Sequence, residues 1–271
     1  MTQRRFKWSS IYLLLVFVIL YAPILFLIVY SFNSGTTMDH FDGFTLAHYA
    51  TLFADTRLIA IVLQTLLIAL LSALIATTIG TLGALWIQQT SRPFFKNSLL
   101  SFNNILIVSP DVIIGASFLI FFTTLSIPLG FTSVLISHTA FSIPIVVLMV
   151  LPRLKELNGS MLDAAADLGA TQSQTLRDVI IPFITPGIFA GFFMALTYSL
   201  DDFAVTFFVT GNGFSTLSVE IYSRARQGIS LEINALSGLL FVLTLVLIVG
   251  YYIVSQSSQR RLLRKKRGVN R

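Results

Sequence analysis

Three aspartates lie inside long apolar stretches of this 271-residue sequence. Asp111 follows the pair Ser109-Pro110, and Asp201 and Asp202 are adjacent. No Lys or Arg lies in any of these apolar stretches to pair with the carboxylates. Placing an aspartate near the centre of a membrane helix costs about 2.5–3.5 kcal/mol, so such residues are candidates for function.

The surroundings of these aspartates indicate recognition of a cation. Pro110 is expected to break its helix and free backbone carbonyls, as in transporter sites built on discontinuous helices. Tyr198 and Asp201 are three residues apart and share a helix face. Carboxylates with aromatic walls suit an organic cation. The alternative is that the aspartates cap broken helices or hold contacts with a partner subunit.

Composition places these stretches in a membrane. The chain is 55% hydrophobic and 11% charged, whereas soluble domains are about 25% charged. The basic residues form short clusters between apolar stretches, which argues against nucleic-acid binding. The chain has no cysteine, and its three histidines lie far apart without metal-ligand spacing, so we expect no disulfide, no metal site and no catalytic thiol.

A transmembrane helix needs about 20 mostly apolar residues, and six stretches qualify. We predict an all-α, polytopic membrane protein with one transmembrane domain over residues 1–271. The apolar run after the basic N-terminus is too long for a signal peptide and is expected to be a retained span. The fifth span has a possible break at Asp201-Asp202, which leaves a seventh span as an alternative. The predicted spans are residues 11–32, 61–87, 98–124, 131–151, 181–209 and 233–255.

The distribution of basic residues predicts the orientation. With six spans, fifteen of the 18 Lys and Arg residues fall on the side that holds both termini, and three fall on the other side. The positive-inside rule therefore predicts a bacterial inner-membrane protein with both termini on the cytoplasmic side. The basic tail over residues 260–267 is expected to lie on anionic lipid.

A cytoplasmic loop over residues 152–182 is far longer than the other inner loop. Residues 161–168 are rich in alanine and predict a helix, with Ser160 as a candidate N-cap and Gly169 as a C-terminal cap. Thr171 or Ser173 is a candidate cap for a second helix, which we expect to end at Pro182. Small residues on one face would let another protein approach closely.

This loop resembles the signature of type I ATP-binding-cassette importer permeases. That signature is Glu-Ala-Ala, three residues, Gly, nine residues and Ile-x-Leu-Pro. The chain has Asp163-Ala164-Ala165, then Gly169, then Val179-Ile180-Ile181-Pro182, so both spacings are met with three mild departures. The resemblance implies the permease fold of that class and a coupling helix that docks in a groove of a separate ATPase.

The wider sequence resembles the spermidine/putrescine branch of these permeases, in particular the second permease subunit of the pair. The resemblance implies a second permease, two copies of a cytoplasmic ATPase and an extracytoplasmic polyamine-binding protein as partners. It also implies that ATP and Mg²⁺ are bound by the ATPase, with no cofactor in this chain. The matching segments are 31–33, 43–45, 48–49, 52–53, 109–111, 167–170, 199–202, 208–211 and 234–236.

Other functions fit the sequence less well. A permease of the same architecture for ferric iron, thiamine or an oxyanion remains an alternative, although the aspartates disfavour an anion. An intramembrane enzyme would need a nucleophile and a base on facing spans, and no Ser/His or Asp/Asp pair has catalytic spacing. A passive channel leaves the coupling loop unexplained. No phosphate-binding loop is present, so we expect this chain not to hydrolyse ATP itself.

The absence of cysteine allows a direct test of the topology. Cysteines introduced by Thr36→Cys and Ser215→Cys should react with a membrane-impermeant thiol reagent added outside, because both positions are predicted to face outward. Cysteines introduced by Ser91→Cys and Ser257→Cys should not react. Labelling of the Ser215→Cys variant only from the cytoplasmic side would overturn the six-span topology.

Overall fold

The computed structural model describes residues 8–227, 231–242 and 245, with side chains from residue 11 onward, and its regular elements there are helices. They confirm the predicted all-α class. By internal contacts the chain divides into two compact units, one of residues 1–58 and 221–271 and the other of residues 59–220. The helices are α1 Trp8–Tyr30, α2 Ala47–Ala54, α3 Thr56–Gln89, α4 Pro93–Val108, α5 Asp111–Thr124, α6 Phe131–Glu156, α7 Gly159–Asp167, α8 Gln172–Asp201, α9 Ala204–Val209, α10 Leu217–Gln227 and α11 Leu231–Val242.

Four of these helices, α1, α3, α6 and α8, are long and apolar enough to cross a membrane, and the bent pair α4–α5 makes a fifth if it is one span. Five of the six predicted spans therefore have a counterpart. The sixth, predicted over residues 233–255, begins within α11. Except for Leu245, its residues beyond 242 lie outside the described residues.

The predicted third span, residues 98–124, is not one straight helix. It divides into α4 and α5, whose axes differ in direction by 105°. Ser109 has extended backbone dihedrals (φ −66°, ψ 138°), as expected for a residue before proline. Pro110 precedes the first residue of α5, so the predicted proline break is confirmed and is a sharp turn.

The predicted fifth span, residues 181–209, is also divided. The helix α8 ends at Asp201, Asp202 is extended (φ −63°, ψ 122°), and the six-residue helix α9 follows. A helix of six residues is too short to cross a bilayer. The possible seventh span is therefore absent at this point of the chain.

The prediction that a helix ends at Pro182 is wrong, because α8 begins at Gln172 and runs through that residue. A proline inside an α-helix clashes with the carbonyl four residues earlier. Residues 175–180 form a π-helical turn, and the Ile181 N–H donates to the Leu176 carbonyl five residues back. The wider turn accommodates the proline. The predicted loop 152–182 is correspondingly shorter, since α6 continues to Glu156.

Close packing on α6 holds residues 59–220 together. The fully buried side chain of Val146 on α6 faces glycines on two other helices. A Cβ built on Gly80 of α3 would lie 2.7 Å from the Val146 Cβ, and one on Gly191 of α8 would lie 3.2 Å from the Val146 Cγ1. Small residues at such positions let membrane helices approach closely.

We expect Gly80→Ala to lower the unfolding temperature of the purified protein. The added methyl would overlap Val146 at 2.7 Å, and overpacking of this kind costs about 1–3 kcal/mol. The measurement is thermal unfolding in detergent, with the amount of protein in the membrane fraction recorded beside it.

Gly83→Ala is the matched control on the same helix. Its Cβ would make an ordinary contact of 3.9 Å with the Val147 Cγ2, and alanine is the better helix former. We therefore expect an unfolding temperature equal to or above that of the unmodified protein. Equal unfolding temperatures for the two variants would show that the α3–α6 contact is not close packed.

Candidate functional site

The element α7, which contains the first part of the predicted coupling motif, is capped at both ends. The N-cap is Asn158 and not Ser160 as predicted, since the Asn158 side chain accepts a hydrogen bond of 3.1 Å from the Ser160 N–H. At the other end Gly169 has φ +75°, and the Ala170 N–H donates to the Ala165 carbonyl at 3.0 Å. This is a Schellman termination, which favours glycine at that position.

The residues of the motif differ in exposure. Asp163, Ala164 and Gly169 are exposed, whereas Ala165 is buried within the chain. Ala165 therefore packs inward, and the accessible part of the predicted small face is formed by Ala164 and Gly169. Leu168, at the end of α7, was not among the predicted contact residues, and its side chain is 88% exposed.

The second half of the motif begins with a cap that was among the predicted candidates. The Thr171 hydroxyl accepts from the Gln174 N–H, and the Gln174 side chain accepts from the Thr171 N–H at 2.8 Å, which forms a capping box. Pro182 lies just after the π-helical turn of α8. The motif therefore comprises α7, a glycine turn and the first three turns of a helix that continues to Asp201.

A cavity of about 530 Å³ opens between α7 and the first turns of α8. Its walls combine apolar side chains with hydroxyl and amide groups and include no charged residue. It makes the region beside α7 concave. The lining residues are Gln89, Leu162, Ala166, Ala170, Gln172, Ser173, Thr175, Leu176 and Ile180.

The structure brings two of the predicted substrate-path residues together. Asp111 is the first residue of α5, and its Oδ1 accepts a hydrogen bond of 3.1 Å from the hydroxyl of Tyr198 on α8. Phe141 packs edge-on against the Tyr198 ring with the centroids 5.2 Å apart. Asp111 is partly exposed, and Tyr198 and Asp201 are exposed. A carboxylate, a phenol and an aromatic wall are the groups expected to recognise an organic cation.

The other predicted path residue, Asp202, is bound within the chain. Its side chain is 4% exposed. Its Oδ2 accepts from the Thr206 N–H at 2.8 Å and from the Thr206 hydroxyl at 2.7 Å, and its Oδ1 accepts from the Val205 N–H at 3.3 Å. These donors belong to the first turn of α9, so the carboxylate caps the helix that follows the break. This arrangement supports the capping alternative for Asp202.

A buried group of polar side chains continues from Asp202. We call Ser72, His138, Ser199, Asp202 and Thr206 the polar lock. The His138 Nε2 lies 2.8 Å from the Thr206 hydroxyl and 3.5 Å from the Asp202 Oδ2, and its Nδ1 lies 2.6 Å from the Ser199 hydroxyl. Ser72 donates to Ser199 at 3.0 Å. The group joins α3, α6, α8 and α9.

The polar lock brings together a serine, a histidine and an aspartate, although no Ser/His pair has catalytic spacing in the sequence. Ser199 is only 2% exposed and His138 is fully buried, so no substrate reaches the hydroxyl. Ser199 and Asp202 are three residues apart, but His138 lies 61 residues before Ser199, and the sequence contains no local signal for that contact. In the described part of the chain, no three His, Asp or Glu side chains gather as metal ligands do.

The loop between α1 and α2 contains several of the segments on which the resemblance rested. The Thr45 N–H donates to the Phe32 carbonyl at 2.8 Å, and the Ser34 N–H, just after segment 31–33, donates to the Gly43 carbonyl at 2.9 Å. The Phe32 and Phe44 rings stack with their centroids 5.3 Å apart. The buried side chain of Asn33 donates to the His40 carbonyl and accepts from the Asp42 N–H, each at 2.8 Å. These segments fix the shape of the loop.

An ion pair is present within the unit of residues 1–58 and 221–271. The Leu58 N–H and the Arg224 guanidinium each lie 3.0 Å from an Asp55 carboxylate oxygen. These donors hold the pKa of Asp55 below its usual value. Arg224 also lies 3.8 Å from a Glu232 oxygen.

Comparison with curated proteins gives relatives over most of the chain. It is 37% identical over 248 residues to the spermidine/putrescine transport system permease protein PotC of Escherichia coli strain K12, which covers 90% of this chain and 92% of that protein. PotC of Haemophilus influenzae is 34% identical over 90% of this chain and 95% of its own. The putrescine transport system permease protein PotI of Escherichia coli strain K12 is 33% identical over 95% of this chain and 94% of its own.

Solved structures show the same fold at lower identity. A bacterial ABC transporter involved in the import of the acidic polysaccharide alginate matches with a TM-score of 0.69, at 18% identity over 90% of this chain and 93% of that chain. The MetNI methionine ABC transporter matches with a TM-score of 0.58, at 21% identity over 73% of this chain and 94% of that chain. The predicted permease fold is therefore confirmed.

A family profile described as the binding-protein-dependent transport system inner membrane component matches residues 76–268. The match includes α7, the pair of Asp111 and Tyr198, and the polar lock except for Ser72. Together with relatives above 30% identity over nine-tenths of the chain, it decides the family. The chain belongs to the binding-protein-dependent transport system inner membrane components.

Proposed function

We propose that this chain is a permease subunit of an ATP-binding-cassette importer that moves the polyamines spermidine and putrescine into the cytoplasm. The observation that carries the proposal is the relation, at 37% identity over 90% of the chain, to a permease named for those two substrates. The accessible carboxylates support it, because polyamines are multiply charged cations.

The proposed cation path includes Asp111, Tyr198 and Asp201. The predicted spans contain no Lys or Arg, so no cation of the chain competes for these carboxylates inside the membrane. Weak, separated negative sites offset the desolvation of a passing cation without trapping it. Asp202 is assigned to the polar lock and not to the path, since its oxygens already accept three hydrogen bonds.

The proposed partners follow the importer arrangement. A second permease completes the membrane domain, an extracytoplasmic binding protein delivers the polyamine, and two ATPase copies bind ATP and Mg²⁺ in the cytoplasm. In this proposal α7 docks in a groove of one ATPase, with Leu168 and the exposed residues Asp163, Ala164 and Gly169 at the contact. Ala165 and Pro182 act from within, by fixing how α7 and α8 pack.

We predict that Leu168→Glu reduces co-purification of the ATPase with the permease at least tenfold and reduces uptake in parallel. Leu168 is 88% exposed, so the chain itself loses no packing. Removing a leucine from a buried contact costs about 1.5–3 kcal/mol, which corresponds to tenfold or more in binding.

Phe94→Glu is the matched control, because Phe94 is 86% exposed and also lies on the predicted cytoplasmic side. It should leave both co-purification and uptake near the level of the unmodified protein. Full ATPase association in the Leu168→Glu variant would remove Leu168 from the proposed contact.

We predict that Asp111→Asn lowers uptake of labelled spermidine and putrescine at least tenfold, with assembly of the complex unchanged. Asparagine retains the size of aspartate and a hydrogen bond from Tyr198 but removes the charge that offsets desolvation of the cation. Asp111→Glu, which restores the charge, should recover most of the uptake.

Glu156→Gln removes one exposed negative charge that pairs with Arg153 at 3.0 Å and serves as the charge control. It should transport normally, since exposed pairs contribute little. Normal uptake in the Asp111→Asn variant would contradict the cation path. Unchanged polyamine uptake after deletion of the gene would contradict the proposed substrate, and ferric iron, thiamine and oxyanions would then be assayed.

A further inference from the structure

The hydrogen bonds of the polar lock form a chain in which each group donates to the next one toward Asp202. The Thr206 hydroxyl has one proton, which it donates to the Asp202 Oδ2 at 2.7 Å. The contact of 2.8 Å between that hydroxyl and the His138 Nε2 therefore requires the proton to be on Nε2. In a neutral imidazole the other nitrogen, Nδ1, is then an acceptor.

The serines complete this assignment. The Ser72 hydroxyl donates to the Ser199 hydroxyl at 3.0 Å and lies farther, at 3.2 Å, from the Ala69 carbonyl. With Ser199 as the acceptor of that proton, the Ser199 proton is available for the His138 Nδ1 at 2.6 Å. Every donor then points toward Asp202, and each member of the polar lock has a partner. A buried polar network with all partners present is rigid, because any displacement leaves a group unsatisfied in an apolar medium.

The same two helices also hold the aromatic wall of the proposed cation path. His138 and Phe141 are three residues apart on α6, and Ser199 and Tyr198 are neighbours on α8. Two contacts therefore join the helices side by side. His138 is hydrogen-bonded to Ser199, and the Phe141 ring packs edge-on against the Tyr198 ring with the centroids 5.2 Å apart. Fixing His138 on Ser199 therefore fixes the rotation of α8 that directs Tyr198 toward Asp111.

We propose that His138, in its neutral form with the proton on Nε2, is a positioning residue that holds Tyr198 in hydrogen-bonding reach of Asp111. The proposal rests on the proposed cation path for its transport consequence, but the protonation and the contacts of His138 do not depend on the substrate. His138 is fully buried and contacts the proposed path through Phe141, whose ring centroid lies 5.0 Å from that of the imidazole.

A double-mutant cycle on the assembled importer in liposomes tests the positioning role. We expect His138→Leu and Tyr198→Phe each to lower polyamine uptake about tenfold, and the double variant to be no more than about twofold worse than either, because both disrupt the same contact. His138→Gln, which keeps a donor and an acceptor, should recover part of the uptake. A double variant with about a hundredfold loss would show independent effects and overturn the proposal.

Ser142→Ala is the control on the same helix. Ser142 is fully buried one turn after His138, and its hydroxyl has no hydrogen-bond partner among the described residues. Uptake should remain at the unmodified level. A loss equal to that of His138→Leu would show that any polar change in α6 has this effect and would contradict a specific role for His138.

Nitrogen NMR of ¹⁵N-histidine-labelled importer gives a readout separate from transport. The histidines of this chain are His40, His48 and His138. Labelling this chain alone separates their nitrogen signals from those of the partner subunits. The signals lost in His138→Gln should belong to one protonated and one unprotonated nitrogen, with the proton on Nε2. A protonated Nδ1 would overturn the inference even if transport proves to concern another solute.

Discussion

An apolar membrane offers no hydrogen-bond partner to a broken helix, and the arrangement of this chain depends on that constraint. The two breaks within residues 59–220 meet it differently. At Pro110 the chain turns where the proline has no N–H to satisfy, and Asp111 begins the next helix. At Asp202 the carboxylate itself accepts the N–H groups of Val205 and Thr206. The need for a cap therefore explains Asp202, whereas the hydrogen bond of Asp111 comes from the side chain of Tyr198 on α8.

The same constraint separates the aspartates by role. The charge of Asp202 is compensated by three donors from the first turn of α9, whereas Asp111 accepts one hydrogen bond from Tyr198 and keeps accessible surface. Under the proposed function, a passing cation contacts an accessible carboxylate such as that of Asp111 and does not contact Asp202. A carboxylate that is buried with its own hydrogen-bond donors does not add a strong binding site to the path. The accessible negative sites therefore stay few and weak, as conduction requires.

Local patterns predicted much of the fold and the coupling motif. Gly169, Thr171 and Pro110 were recognised because their effects extend over four or five residues of backbone. The continuation of α8 through Pro182 was missed, since a single π-helical turn removes a clash that proline normally causes. The inward packing of Ala165 was missed because alanine occurs on buried and exposed helix faces alike. The contact of His138 with Ser199 was missed because these residues are 61 positions apart, and the resemblance gave the family without revealing it.

The continuity of α8 connects the two parts of the proposed mechanism. The helix begins beside α7 at Gln172 and ends at Asp201, so its 30 residues span roughly 45 Å at 1.5 Å per residue. A displacement of α7 by the ATPase would therefore reach Tyr198 along one helix. The π-helical turn lies near the α7 end, and the polar lock holds the other end through Ser199. Under the proposed function, the polar lock fixes the end of α8 that holds Tyr198, so a displacement that begins at α7 would move Tyr198 together with His138 and would not rotate it past Asp111.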